Sequence, residues 1–264
     1  MNSPHSTEKL YKSDASEDQQ RAALTGGDVP VAVHGLGKMG LPLAAVYADV
    51  TSNVVGVDTN PEVVRTVNRG ESHIASDPGL GDLVEDVVRS ERLTATTDPQ
   101  AAAEAASVHV IIVPTLVDDD HSPDLSVVKT VTRNIASGLE PGDLVIAEST
   151  LPPTTCREEL APLLEGESGL AREAFGVAFC PERTSSGRAL EDIRGAISQT
   201  IDEGSRVRYV SFLDVNSDHL MDGCQDCDEN GQRDGPQRTA DYSLDIDGNR
   251  LLDNAALRGA GTVG

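Results

Sequence analysis

The sequence contains no tryptophan, and aromatic residues make up 3% of its 264 positions. A core built without large rings must come from Val, Ile, Leu and Ala, which suit the near-continuous aliphatic strands of a parallel sheet covered by helices. Lysine is scarce: Lys9, Lys12, Lys38 and Lys129 are the full set, so arginine supplies most of the positive charge. With a formal charge of -23 and a pI of about 4.4, nothing here would neutralise a phosphate backbone, which argues against general nucleic-acid binding. An acidic, lysine-poor surface is what a halophilic protein, kept soluble in high salt, presents; an acidic mesophilic protein is the plainer alternative. No run reaches the roughly 18 apolar residues of a membrane helix. The four cysteines do not make a disulfide framework for a chain of this length. Residues 1–28 are polar and mixed in charge, without the apolar centre of a signal peptide. They are expected to form a disordered arm, and the expected compartment is the cytoplasm, with no membrane or nucleic-acid partner.

Beyond residue 28, strand and helix patterns alternate. Aliphatic runs predict strands at Val29–His34, Asn53–Asp58, Leu93–Thr96, Val108–Val113, Leu144–Ala147 and Phe175–Cys180, and helical periodicity falls between them. Leu80, Leu83, Val84, Val87 and Val88, for example, share one face of a helix over Leu80–Arg89. Six strands alternating with helices predict an α/β fold, an open, doubly wound parallel sheet of Rossmann-like type, over residues 29–196. Ligands of such sheets bind beyond the carboxyl ends of the strands. Those ends are Gly35, Asp58, Pro114-Thr115, Ser149-Thr150 and Cys180–Arg183, which therefore form one set.

The first of them opens Gly35-Leu36-Gly37-Lys38-Met39-Gly40, a G-x-G-x-x-G between strand and helix. Gly35 allows the tight turn, Gly37 lets a pyrophosphate approach the backbone, and Gly40 lets the helix pack close to the strand. The helix N-terminus adds unpaired N–H groups and a positive dipole end. Alone, this spacing also occurs in ordinary turns. Asp58 strengthens it: it ends the second strand roughly 20 residues past Gly40, where an acid bonds adenine-ribose hydroxyls. An acid there repels a 2′-phosphate, so NAD is expected over NADP.

Further blocks follow in order: Gly56-Val57-Asp58, Val67-Asn68-Arg69-Gly70-Glu71-Ser72-His73-Ile74, Asp77-Pro78-Gly79-Leu80, Val113-Pro114-Thr115, Glu148-Ser149-Thr150-Leu151-Pro152-Pro153 and Cys180-Pro181-Glu182-Arg183. Together with the glycine turn they resemble the nucleotide-sugar dehydrogenases, which oxidise UDP-glucose, GDP-mannose or UDP-N-acetylmannosamine to uronates. The last tetrapeptide looks most like the UDP-N-acetyl-D-mannosamine branch. The resemblance covers the family's N-terminal NAD-binding domain, about Val29 to Ala196. It implies Lys38 and Met39 at the pyrophosphate, Asp58 at the adenine ribose, and Thr115 and Thr150 at the nicotinamide half. It implies Glu182 and Thr150 as catalytic residues, Glu182 helping to activate water, with Arg183 and Thr184 at the sugar nucleotide. Set beside this, Thr115 and Thr150 also read as simple strand-end residues, Glu182 as an acid at a helix entry, and Cys180 as apolar filler rather than a nucleophile.

The family's second oxidation holds an aldehyde on a cysteine in a Gly-Gly-x-Cys context, assisted by a lysine. This sequence has no Gly-Gly-x-Cys and no lysine after Lys129. Residues 197–264 are rich in Asp, Asn, Gly and Arg, and are expected to be a poorly ordered or aberrant acidic tail. Cys224-Gln225-Asp226-Cys227 lacks a second ligand pair for zinc. Asp226, Asp228, Asn230 and Gly231 open like a calcium loop, but Gln237 stands where a bidentate Glu is needed. No metal is expected. The expectation is thus an NAD-dependent nucleotide-sugar 6-dehydrogenase of polysaccharide biosynthesis, truncated or frame-shifted on its C-terminal side, catalytically incomplete alone, and partnered by an intact paralogue or by its own copies. A non-catalytic NAD-binding or regulatory module is the main alternative, and an acidic metal-binding protein a third.

Overall fold

In a computed structural model, residues 9–117, 122–181, 184 and 187–193 are described. A six-stranded parallel sheet runs through their centre, built from β1 (Val31–His34), β2 (Val54–Val57), β3 (Leu93–Thr96), β4 (Val108–Ile111), β7 (Leu144–Ala147) and β8 (Gly176–Phe179). Their spatial order is β3-β2-β1-β4-β7-β8. The chain therefore winds outward from β1 to β3, returns to β4 beside β1, and winds the other way, which puts the topological switch between β1 and β4. All six expected strands are present, each one or two residues shorter at its ends except β3 and β7.

Alternation along the strands assigns the two faces. Val31, Val33, Val108 and Val110 point into one core with α1 (Glu17–Gly26), α2 (Gly40–Thr51), α3 (Pro61–Asn68) and α4 (Leu80–Arg89). Ile111, Val145, Ala147 and Val177 point into the other, under α6 (Ser126–Ala136) and α7 (Ala161–Ser168). Between α4 and α6 lies α5 (Pro99–Ala105), capped by Asp98, whose side chain accepts from Gln100 and Ala101 N–H. Small residues make close packing possible, as the aromatic-poor composition requires: a Cβ on Gly138 would fall 2.6 Å from the Glu104 nitrogen of α5.

Three local expectations are corrected. The polar segment expected as a disordered arm is ordered from Lys9 onward. Ser16 and Gln19 close a reciprocal capping box on α1, and Ala23 is buried. Upstream of α1, Leu10 packs against the first core. The Lys9 Nζ lies 2.6 Å from Asp143 Oδ1, a fully buried carboxylate, and 3.1 Å from Glu140. Burial works against the Lys9 charge, yet hydrogen bonding and attraction from Asp143 and Glu140 outweigh it and raise its pKa above the usual lysine value. Next, the helical stretch expected between the strands at Leu144–Ala147 and Phe175–Cys180 begins as a π turn (Cys156–Leu160) before α7, with Thr154 just ahead of it at φ 71°. Pro162 sits in the first turn of α7, and proline there leaves no N–H for an ordinary α-helical junction. Finally, Cys180 lies one residue past β8 and is half-buried. A short antiparallel pair, β5 (Leu116–Val117) and β6 (Pro123–Asp124), precedes α6. The tail, including Cys224, Cys227 and the Asp226 loop, lies outside the described residues.

Candidate functional site

The carboxyl ends of β1, β2, β3, β4 and β7 open into one cleft of about 690 Å³. Gly35, Gly37, Lys38, Met39 and Gly40 line it from β1, Asp58 from β2, Thr115 from β4 and Thr150 from β7. Eight residues singled out from the sequence thus come together in space. Glu182 and Arg183 lie outside the described residues. Thr184 is described: its Oγ1 is 4.0 Å from the Met39 sulfur, which brings the segment after β8 against the glycine turn.

Each glycine of the turn has a measurable reason. Gly35 has φ 105°, and a Cβ there would sit 2.6 Å from the Ile112 carbonyl oxygen. At Gly40 a Cβ would lie 1.9 Å from the Gly35 carbonyl oxygen, so the start of α2 rests directly on the turn. Gly37 differs: no protein atom comes within 4 Å of a Cβ built there. Its exposed backbone borders the cleft and leaves room for a ligand's approach. No side chain caps α2, whose N-cap is Met39, so the positive end of its dipole faces the cleft.

Asp58 does more than end a strand. One carboxylate oxygen accepts from the Leu36 N–H at 2.9 Å and the other from the Asn60 N–H at 2.8 Å. The carboxylate ties the glycine turn to the β2–α3 connection, where Asn60 in turn caps α3. Two oxygens offer about four acceptor positions, so these bonds leave capacity for ligand hydroxyls.

Ser149 holds the other half together. Its hydroxyl accepts from the Val113 N–H at 3.0 Å and donates to the Val113 carbonyl at 2.8 Å. The Glu148 and Ser149 N–H groups both donate to the Ile111 carbonyl, at 2.8 and 3.0 Å. The exits of β4 and β7 are therefore stitched edge to edge, and Thr115 and Thr150, which follow them in the chain, both line the cleft. The Thr115 Oγ1 is buried and has no hydrogen-bond partner among the described residues, as a hydroxyl meant for a ligand would be.

Several lining residues carried no functional expectation. Val127, Val131 and Asn134 of α6, with Pro99 of α5 and Thr97, form one wall; only their shared helix face hinted at it. Glu148 had no expected role, and Ser149 was expected only as part of a strand end. His34, at the end of β1, is fully buried beside His109, with ring centroids 6.0 Å apart. Desolvation, helped by repulsion from His109, pushes its pKa down to about 3, so the ring is neutral at physiological pH. Among the described residues no group of three or more His, Cys, Asp and Glu side chains could hold a metal.

The residues present fit a dinucleotide: open space over Gly37, an uncapped helix N-terminus, a strand-end carboxylate and an orphaned hydroxyl.

Comparison with known proteins gives a consistent picture. The family model described as "UDP-glucose/GDP-mannose dehydrogenase family, NAD binding domain" matches residues 29–198. The UDP-N-acetyl-D-mannosamine dehydrogenase of Yersinia pestis is 39% identical over 170 residues, 62% of this chain and 39% of the relative. The NDP-N-acetyl-D-galactosaminuronic acid dehydrogenase of Ralstonia nicotianae is 39% identical over 201 residues, 69% of this chain and 45% of the relative. Among solved structures, a ternary complex of GDP-mannose dehydrogenase from Pseudomonas aeruginosa superposes with a TM-score of 0.60 at 30% identity, covering 62% of this chain and 38% of that one. UDP-D-ManNAc dehydrogenase from Pyrococcus horikoshii gives 0.59 at 36% identity, covering 62% and 39%. The chain spans less than half the length of these relatives. No described helix is long and apolar enough to cross a membrane.

Proposed function

The chain belongs to the UDP-glucose/GDP-mannose dehydrogenase family and carries its NAD-binding domain, and we propose that it serves the NAD-dependent oxidation of a nucleotide sugar's C6 alcohol to the uronate. The observation that carries this reading is the convergence of Gly35–Gly40, Asp58, Thr115 and Thr150 on one cleft. When bound, NAD supplies a hydride acceptor. The chain's own residues bind and orient it. Asp58 receives the adenine-ribose hydroxyls, and its charge turns away a 2′-phosphate. The Gly37 backbone, Lys38, Met39 and the α2 N-terminus take the pyrophosphate. Thr115 and Thr150 hold the nicotinamide half through their hydroxyls. Glu182 accepts a proton from water in the second oxidation, and Arg183 and Thr184 engage the sugar nucleotide.

The substrate class we favour is UDP-N-acetyl-D-mannosamine. The Cys180-Pro181-Glu182-Arg183 block supports it, as do the names of similar relatives, among them the Yersinia pestis enzyme. An aldehyde intermediate calls for an activated thiolate beside the sugar. Cys156 is buried and Cys180 half-buried. Neither lies in a Gly-Gly-x-Cys, and no lysine follows Lys129. We therefore read this chain as the cofactor-binding share of the reaction and not its full chemistry. Incubation with NAD and UDP-N-acetylmannosamine tests this. The expected result is ligand-induced stabilisation without multiple turnovers; sustained NADH production by the chain alone would overturn the incomplete-catalysis part. Stabilisation by NAD without any response to a nucleotide sugar would favour a non-catalytic NAD-binding module.

A further inference from the structure

The block Asp77-Pro78-Gly79-Leu80 has no part in the cofactor cleft: none of its residues belongs to the described lining. It stands at the start of α4, whose N-cap is Gly79. Asp77 is nevertheless 5% exposed, and a carboxylate held out of water needs a partner. Both of its oxygens face one donor. The Leu190 N–H lies 3.4 Å from Oδ1 and 3.3 Å from Oδ2. Residues 189–193 are helical, so that N–H belongs to a first turn, where donors have no partner within the helix. The carboxylate charge also meets the positive end of the helix. Arg188, which precedes the helix and accepts from the Asp192 N–H through its carbonyl, is not a capping residue type. Asp77 supplies the missing cap from a distant part of the chain.

Neighbouring contacts seat the same segment. A Cβ on Gly79 would lie 3.6 Å from Leu190 Cδ2, and one on Gly187 would lie 3.3 Å from the Ser76 carbonyl oxygen. Leu190 and Ile193 are buried in the first core. Earlier in the segment, the Thr184 Oγ1 is 4.0 Å from the sulfur of Met39, which lines the cleft. The stretch after β8 is therefore held at two described places, Thr184 on the glycine turn and Leu190 on Asp77. Apolar burial of Leu190 and Ile193 is non-directional. The cap fixes where the helix starts, and so how the chain before it reaches Met39.

We infer that Asp77 is a positioning residue for the sugar nucleotide: by capping the helix at Leu190 it sets where Thr184 stands against the cofactor turn. This deepens the proposed function and rests on its assignment of Arg183 and Thr184 to the sugar nucleotide. Asp77 acts from outside the cleft, through the segment it holds, and its loss should be felt by the nucleotide sugar and not by NAD.

Calorimetric titration with NAD and with UDP-N-acetylmannosamine, in wild type, Asp77→Ala and Asp77→Asn, tests the inference, together with hydrogen exchange over residues 187–193. Replacing a cap by alanine shifts an equilibrium on the order of fivefold, whereas asparagine caps about as well as aspartate. Asp77→Ala should therefore weaken the nucleotide sugar on the order of fivefold and speed exchange over residues 187–193 by a similar factor. Its NAD affinity should stay at the wild-type value. Asp77→Asn should restore most of both losses. An equal loss of NAD and nucleotide sugar in Asp77→Ala overturns the inference, because it marks a merely structural role. An asparagine variant as weak as the alanine one overturns it too, because the cap is then not the cause. If wild type binds NAD and no nucleotide sugar, the assignment of Arg183 and Thr184 falls and takes the inference with it. If wild type binds the nucleotide sugar and Asp77→Ala binds it as tightly, only the positioning role falls.

Discussion

Alanine at Gly37 and alanine at Gly40 should do opposite things, although the two glycines lie three residues apart in one turn. A Cβ at Gly40 would sit 1.9 Å from the Gly35 carbonyl oxygen, a backbone atom that cannot rotate aside. The turn or the first turn of α2 must move, and overpacking of that kind costs about 3 kcal/mol or more. For a domain of this size that lowers the melting temperature by about 6–12 °C. At Gly37 nothing lies within 4 Å and φ is not in the left-handed region. Alanine there only removes freedom from the unfolded chain, a gain of about 0.4–1 kcal/mol. Its methyl, however, projects where a pyrophosphate must approach the backbone. Wild type at a hundredfold excess of NAD over its dissociation constant should gain about 2.7 kcal/mol, or about 5–10 °C. Gly37→Ala should match or exceed wild type without ligand and lose most of that gain with it. Scanning fluorimetry with and without NAD reads both quantities. A Gly37→Ala protein with the full NAD-dependent shift would rule out pyrophosphate contact with that backbone, and a Gly40→Ala protein as stable as wild type would rule out the close seating of α2 on the turn.

Three further outcomes are expected. The His34 pKa, pushed from 6.5 to about 3, means the unfolded chain binds a proton between those values that the folded chain refuses. Stability is therefore unaffected above pH 6.5 and falls with pH below it, by about 2 kcal/mol at pH 5; denaturant melts should show that slope shrink in His34→Val. Ser149→Ala removes both hydroxyl bonds to Val113, costing about 1–3 kcal/mol and weakening NAD binding as the β4 and β7 exits part, measurable by melting and titration together. Lys9→Met leaves the buried Asp143 carboxylate without its ammonium. Because Lys9 is itself 30% exposed, the loss should be about 1–2 kcal/mol, with faster hydrogen exchange over residues 9–26 as its signature.

Much of the fold was legible because its signals are local. Aliphatic runs mark the six strands, and the G-x-G-x-x-G spacing marks the turn, although the Ile112 carbonyl that crowds Gly35 comes from the neighbouring strand's exit. Asp58 was legible from spacing alone, though not its bonds to the Leu36 and Asn60 N–H groups, which depend on how β2 lies against β1. The N-terminal segment was misread for a related reason. Its capping box, Ser16 with Gln19, was there to be seen, but what orders the residues before it is distant: Lys9 on Asp143, and Tyr11, whose ring lies against the Gly176 position of β8. Ser149 was legible as part of a strand end, yet its hydroxyl bonds to Val113 emerge only when parallel pairing sets β7 beside β4. For Val127, Val131 and Asn134 the shared face of α6 was the sole hint, since helix periodicity groups residues on one face without saying what lies opposite it.

The cleft at the β1–β4 switch is the place for NAD, and the Asp58 carboxylate is expected to choose it over NADP. Calorimetric titration of the wild-type chain with each cofactor tests this most directly. Saturable binding of one NAD per chain, with NADP at least about tenfold weaker, as a carboxylate facing a 2′-phosphate demands, is the predicted result. No heat with either cofactor, or NADP binding as tightly as NAD, would contradict it.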